Sequence, residues 1–126
     1  LEIISNLHVS SLSSADKHLS LRLLGRVVEN VMEPTHIVKP VLTTVKPLLF
    51  EDDFYIRMEA REVVCVLSKC AGIVPMISFL RNDVSHNDPA IRELTAKTFA
   101  LVGKRLVFPM FSHLFIRSVV VESAGK

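Results

Sequence analysis

The chain has 126 residues, of which 49% are hydrophobic and 6% aromatic, with no Trp and only four glycines. That balance is enough to bury a core and favours an all-helical protein over a loop-rich one. A net charge of +2 and a pI near 8.7 exclude the footprint of a dedicated nucleic-acid binder, so any contact with RNA has to come from a local basic stripe.

Taken in order, the apolar spacing places a first helix near Glu2–Val9 and, after a polar turn at Leu12–Ala15, a second near Asp16–Met32. Ser14 is the candidate cap before Asp16. A third helix runs near Ile37–Phe50, and Pro47 inside it should bend it, because proline removes a backbone hydrogen bond. The acidic turn Glu51–Asp53 leads into a helix over Phe54–Ala71. It closes at Gly72, the residue type that best tolerates a left-handed helix end. Along it, Ile56, Ala60, Val63, Val64, Leu67, Cys70 and Ala71 fall within about 120° and form a core-facing stripe. Arg57, Arg61 and Ser68 form a narrow polar line on the opposite side. A shorter helix is expected near Ile73–Leu80, then a polar turn over Asn82–Asp88. Asp88 as cap and Pro89 at the first helical position open a helix over Pro89–Leu106. A last helix is expected near Pro109–Val119, crowded by Phe108, Phe111 and Phe115.

These elements repeat. Leu21-Arg22, Ile56-Arg57 and Ile91-Arg92 stand 35 residues apart. Val28, Val63 and Thr98 keep the same register, as do Met32, Leu67 and Val102. Asp53 and Asp88 match each other, whereas the first copy has His18 there. Pro40, Pro75 and Pro109 recur in the alternate helices. Each unit is thus a helical hairpin that cannot bury both faces alone and needs neighbours on either side. The chain divides into repeats at about 1–33, 34–72 and 73–106, with a partial unit at 107–126. Because its end repeats are no more polar than its middle one, and because it opens at Leu1 within a helical pattern, it is expected to be a segment of a longer solenoid.

A proline in the first helix, an acidic turn, and an Asp followed by an apolar-Arg pair opening the second helix resemble HEAT repeats. The 35-residue period falls a little short of the usual ~40–47 of that class. The expected fold is therefore an all-α, right-handed α-solenoid segment of about three HEAT-type hairpins. The run Val45–Gly72, VKPLLFEDDFYIRMEAREVVCVLSKCAG, is more specific. It resembles the large-subunit family of splicing factor 3b, whose early repeats carry a very similar Pro-Leu-Leu, acidic pair, aromatic pair and Arg-x-Glu-x-Arg-Glu wording. The likeness continues through Met76-Ile77-Ser78, Arg81-Asn82-Asp83, Ile91-Arg92, Thr98-Phe99-Ala100 and Pro109. It fades after Met110, and Gly103-Lys104-Arg105 departs from the small apolar residues expected there. The resemblance implies a nuclear scaffold within the U2-type small nuclear ribonucleoprotein, with the other splicing factor 3b subunits and intron pre-mRNA as partners. The alternative is a HEAT adaptor of the transport or phosphatase-scaffold type that binds a protein helix without RNA.

The residues themselves point away from catalysis. Glu51, Asp52 and Asp53 lie in an exposed turn and read as solvated, capping acids. The five histidines are scattered with no two at ligand spacing on one helix, and no Gly-rich phosphate loop or Ser-His-Asp order is present. No catalytic, metal or cofactor site and no small-molecule substrate are expected. Cys65 and Cys70, five apart and about 140° apart around one helix, read as reduced hydrophobes rather than a disulfide. No apolar run reaches the roughly 18–20 residues of a membrane span, and the opening LEIISNLHVSS does not have the pattern of a signal peptide. The arginines are the better lead. Arg22, Arg57 and Arg92 share one register, with Arg26 and Arg61 a turn further on. Stacking would set them in a ladder, as contacts for RNA phosphates or as pins between repeats paired with the helix-capping acids Asp53 and Asp88. Lys97, Lys104 and Arg105 read as a solvated face.

Overall fold

A computed structural model describes residues 12–106, and within them the chain is a stack of helices. Helix α1 spans Ser14–Asn30, α2 Val38–Val45, α3 Phe54–Ala71, α4 Val74–Leu80 and α5 Pro89–Leu106, with 3-10 turns at Pro34–His36, Lys46–Phe50 and Arg81–Ser85. The expected helices at Glu2–Val9 and Pro109–Val119, and Phe108, Phe111 and Phe115, lie outside the described residues.

Each boundary has a local cause. The cap of α1 is Ser13, one residue before the expected Ser14. Its Oγ accepts from the Asp16 N–H at 3.2 Å and donates to the Asp16 carboxylate at 2.9 Å, a reciprocal pair that fixes the first turn. The helix ends at Asn30, two residues before the expected Met32, because Val31 is extended and Pro34 holds Glu33 out of the helical region. Met32 therefore projects into solvent, 97% exposed, while its register partners Leu67 and Val102 are buried. Pro40 sits in the first turn of α2, where its missing N–H costs nothing. Pro47 cannot continue the α-helix, and the chain tightens into the 3-10 turn at Lys46. At α3 the Asp53 carboxylate accepts from the Tyr55 and Ile56 N–H groups at 2.8 and 3.4 Å, and Gly72 ends the helix at φ +91°. The expected loop after α4 is partly wound, since Arg81–Ser85 forms a 3-10 turn. Asp88 then accepts from the Ala90 N–H at 2.9 Å as α5 begins at Pro89.

The long helices form one layer, with α3 packed between α1 and α5. The shorter α2 and α4 form the other. Contacts between α1 and the α3 unit advance together along both segments: Lys17 meets Glu51, His18 meets Glu59, and Gly25 lies against Val63. The long helices therefore run parallel, as a repeated hairpin requires. Leu21, Leu24 and Val28 of α1, Val41, Leu42 and Val45 of α2, and Ile56, Val63, Val64 and Leu67 of α3 close the core between the layers, joined by Met76, Leu80 and Val102.

Two readings of α3 need correction. Arg61 and Ser68, expected on an outward polar line, are buried, and Cys65 is buried while Cys70 is exposed. The cause is the stack itself. A helix with neighbours on both flanks as well as beneath it covers far more than the stripe its periodicity reveals.

Candidate functional site

The shared arginine register produces one repeated device. Arg57 Nη1 donates to the carbonyls of Glu51 and Asp52 at 2.6 and 2.9 Å. Arg92 Nη1 donates to those of His86 and Asn87 at 2.7 and 3.1 Å. In each case the acceptors lie six and five residues upstream, in the turn that feeds the helix. A guanidinium fork thus ties down two carbonyls that no helix or strand would satisfy. The bonds run within a repeat, to carbonyl oxygens, and not to the Asp53 and Asp88 carboxylates, which cap α3 and α5 instead. Arg57 also lies 5.8 Å from the centroid of the Phe54 ring, which meets Tyr55 edge to face at 5.6 Å. Arg22 has no equivalent turn to grip. Helix α1 begins eight residues before it, whereas α3 and α5 begin three residues before their arginines, so the corresponding carbonyls are already helical.

Arg22 and Arg26 are exposed and line a groove of about 220 Å³ between α1 and α3, together with Glu29, Glu59 and Glu62. Arg61 is buried. Its Nη1 lies 3.5 Å from Met58 Sδ, its Nε has no partner among the described residues, and burial together with the nearby Arg57 charge lowers its pKa.

Apart from His18, the pins between repeats come from residues that periodicity did not single out. Lys17 reaches Glu51 at 2.8 Å, and His18 lies 3.5 Å from Glu59. Lys46 lies 3.0 Å from the largely buried Asp83 Oδ2, off the line of a hydrogen bond, with its ammonium 5.2 Å from the Phe79 ring centroid. Arg105, expected on a solvated face, forks onto Glu62 at 2.9 and 2.5 Å. The signal available was opposite charge at separations near the period, 34 residues for Lys17 and Glu51 and 37 for Lys46 and Asp83. Lys97 pairs within α5 with Glu93 at 3.1 Å.

Among the described residues no group of three His, Cys, Asp or Glu side chains could hold a metal ion, and no helix is long and apolar enough to cross a membrane. The Cys65 thiol is pushed up to about 11, first by burial and then by Glu62, with Arg105 opposing, so it stays protonated at neutral pH.

The sequence has relatives of known assembly. It is 30% identical over 112 residues to the U2 snRNP component prp10 of Schizosaccharomyces pombe, across 86% of this chain and 9% of that protein. The chain is homologous to one segment of the splicing factor 3b large subunit. A second such relative is the U2 snRNP component HSH155 of Saccharomyces cerevisiae, 29% identical over 97 residues, across 76% of this chain and 10% of that protein. The chain spans about a tenth of the length of the curated relatives it matches. No protein-family profile matches it. The all-helical stack agrees with the solenoid expected of a splicing factor 3b segment.

Proposed function

We propose that this chain is a non-enzymatic scaffold segment in pre-mRNA splicing, acting in the nucleus within a U2-type ribonucleoprotein and supporting both intron RNA near the branch site and other splicing factor 3b subunits. The observation that carries this reading is the relationship to two U2 snRNP components over most of the chain. The architecture supports it: parallel helices stitched by ion pairs hold a surface of fixed shape, which is what a scaffold needs. In this reading the repeats at 1–33, 34–72, 73–106 and 107–126 form part of a longer solenoid. The adaptor alternative gains one point, because Arg57 and Arg92 are already engaged with backbone carbonyls and are less free to meet phosphates.

Salt separates the two. Binding to single-stranded, pyrimidine-rich RNA should weaken linearly on a log–log plot as salt rises. Capture of U2-type ribonucleoprotein from nuclear extract should accompany it. Retained capture with no RNA binding would support the adaptor, and loss of both would refute the scaffold.

A further inference from the structure

The two seams between the long helices give their arginines different company. At the α1–α3 seam, Arg22 and Arg26 share a groove with Glu29, Glu59 and Glu62. One repeat on, the register places Arg57 and Arg61 at the α3–α5 seam, and the positions of Glu59 and Glu62 are taken by Leu94 and Lys97. Both acids are gone from these positions; Lys97 is paired within α5 with Glu93, and Glu62 of α3 is taken by Arg105, so none of these groups answers Arg61.

Arg61 is 6% exposed. Its Nη1 contact is a thioether, a weak acceptor, and its Nε is buried with no partner among the described residues. Among the described residues no carboxylate pairs with it. A guanidinium cannot shed its charge to escape burial, so its desolvation is left uncompensated until an anion approaches.

What stands beside it narrows the anion. Phe54 and Tyr55 are 54% and 71% exposed, unusual for aromatic side chains in a small stack. Phe54, Arg57, Met58 and Arg61 are spaced i, i+3, i+4 and i+7 and so share one face of α3, with Phe54 and Arg61 about 10 Å apart along the axis. An acidic peptide would answer only the charge. A nucleic-acid strand supplies a phosphate and a base at that kind of separation.

We propose that this face of α3 is a single-stranded RNA contact, in which Arg61 takes a backbone phosphate and Phe54 stacks on a neighbouring base. The proposal rests on the RNA-supporting reading above and names the residues that carry it.

The test is fluorescence anisotropy of the whole chain with a labelled oligouridylate of about ten nucleotides, measured across a salt series. Arg61→Met should weaken binding about tenfold and lower the log–log salt slope by about one. Phe54→Ala should weaken it with the slope unchanged. Lys97→Glu restores an acid to the seam from an exposed position and should also weaken binding, which keeps the proposal testable if Arg61→Met does not fold. Lys39→Met removes an exposed charge from α2 and serves as the control. If Arg61→Met and Lys97→Glu bind like that control while the wild type binds RNA, this assignment fails and the broader reading stands. If the wild type captures the ribonucleoprotein but binds no RNA, the RNA part of both falls. Displacement of RNA by a polyglutamate peptide whose own binding is lost in Arg61→Met would reassign the site to an acidic protein and overturn the proposal.

Discussion

The linkage of repeat one to repeat two differs from that of repeat two to repeat three, although one period generates both. The first is charge-balanced: Lys17 meets Glu51, His18 meets Glu59, and Arg22 and Arg26 share a groove with three glutamates. The second leaves one cation unmatched. Arg105 forks onto Glu62 across it, but among the described residues Arg61 is buried without an acid, and in the Lys46–Asp83 pair the acid rather than the cation is the more buried partner. A repeat therefore fixes where side chains meet, and substitutions at the shared positions then decide whether a seam is closed on itself or left with charge for something else.

The largest expected effect sharpens that contrast. The Lys46 and Asp83 side chains are 33% and 12% exposed, against 15% and 32% for Lys17 and Glu51. Lys46→Ala strands a mostly buried carboxylate and should cost about 2–3 kcal/mol. Lys17→Ala leaves an acid that water can reach and should cost under about 1 kcal/mol. Urea denaturation of the two variants measures the difference directly. Equal losses would mean that the seams are not held differently.

Next comes the arginine register. Arg57→Ala orphans two turn carbonyls and a ring contact and should cost about 1–2 kcal/mol. Arg92→Ala removes the same pair of bonds from a more exposed turn, where water replaces them, and should cost about half as much. Arg22→Ala removes no such bond and should change the melting temperature little. A thermal melt series that failed to rank Arg57 above Arg92 above Arg22 would refute the turn-gripping role.

Much of this architecture is legible in the residues alone. The 35-residue recurrence, the Asp53 and Asp88 caps, the Pro47 break and the Gly72 stop each follow from one residue's backbone chemistry. Local chemistry of that kind survives tertiary context. The charged contacts are less legible, because whether Arg61 is exposed depends on how α3 is flanked in the stack, and no periodicity within α3 carries that information. The mismatch of Met32 shows the same limit. Its register is right, but Pro34 ends the helix before the register can be used.

Thr95 tests the second seam more gently. It is 1% exposed and its hydroxyl has no partner among the described residues, so Thr95→Val, nearly isosteric, should raise stability by about 1 kcal/mol. A loss of stability would place an ordered water at that oxygen.

The smallest effect concerns the position that sets how closely the long helices approach. Gly25, Ala60 and Thr95 occupy one register, with Ala60 fully buried. A Cβ built on Gly25 would meet Val63 Cγ2 at 3.8 Å, ordinary van der Waals contact, and the backbone of Gly25 is helical. Gly25 is thus not required by crowding or by a left-handed conformation. Gly25→Ala should stabilise the protein by about 0.5–1 kcal/mol, mainly by restricting the unfolded chain. Chemical denaturation should show the gain with an unchanged m-value. A loss would mean that α1 and α3 approach more closely than this geometry allows. The two seams would then differ in spacing as well as in charge.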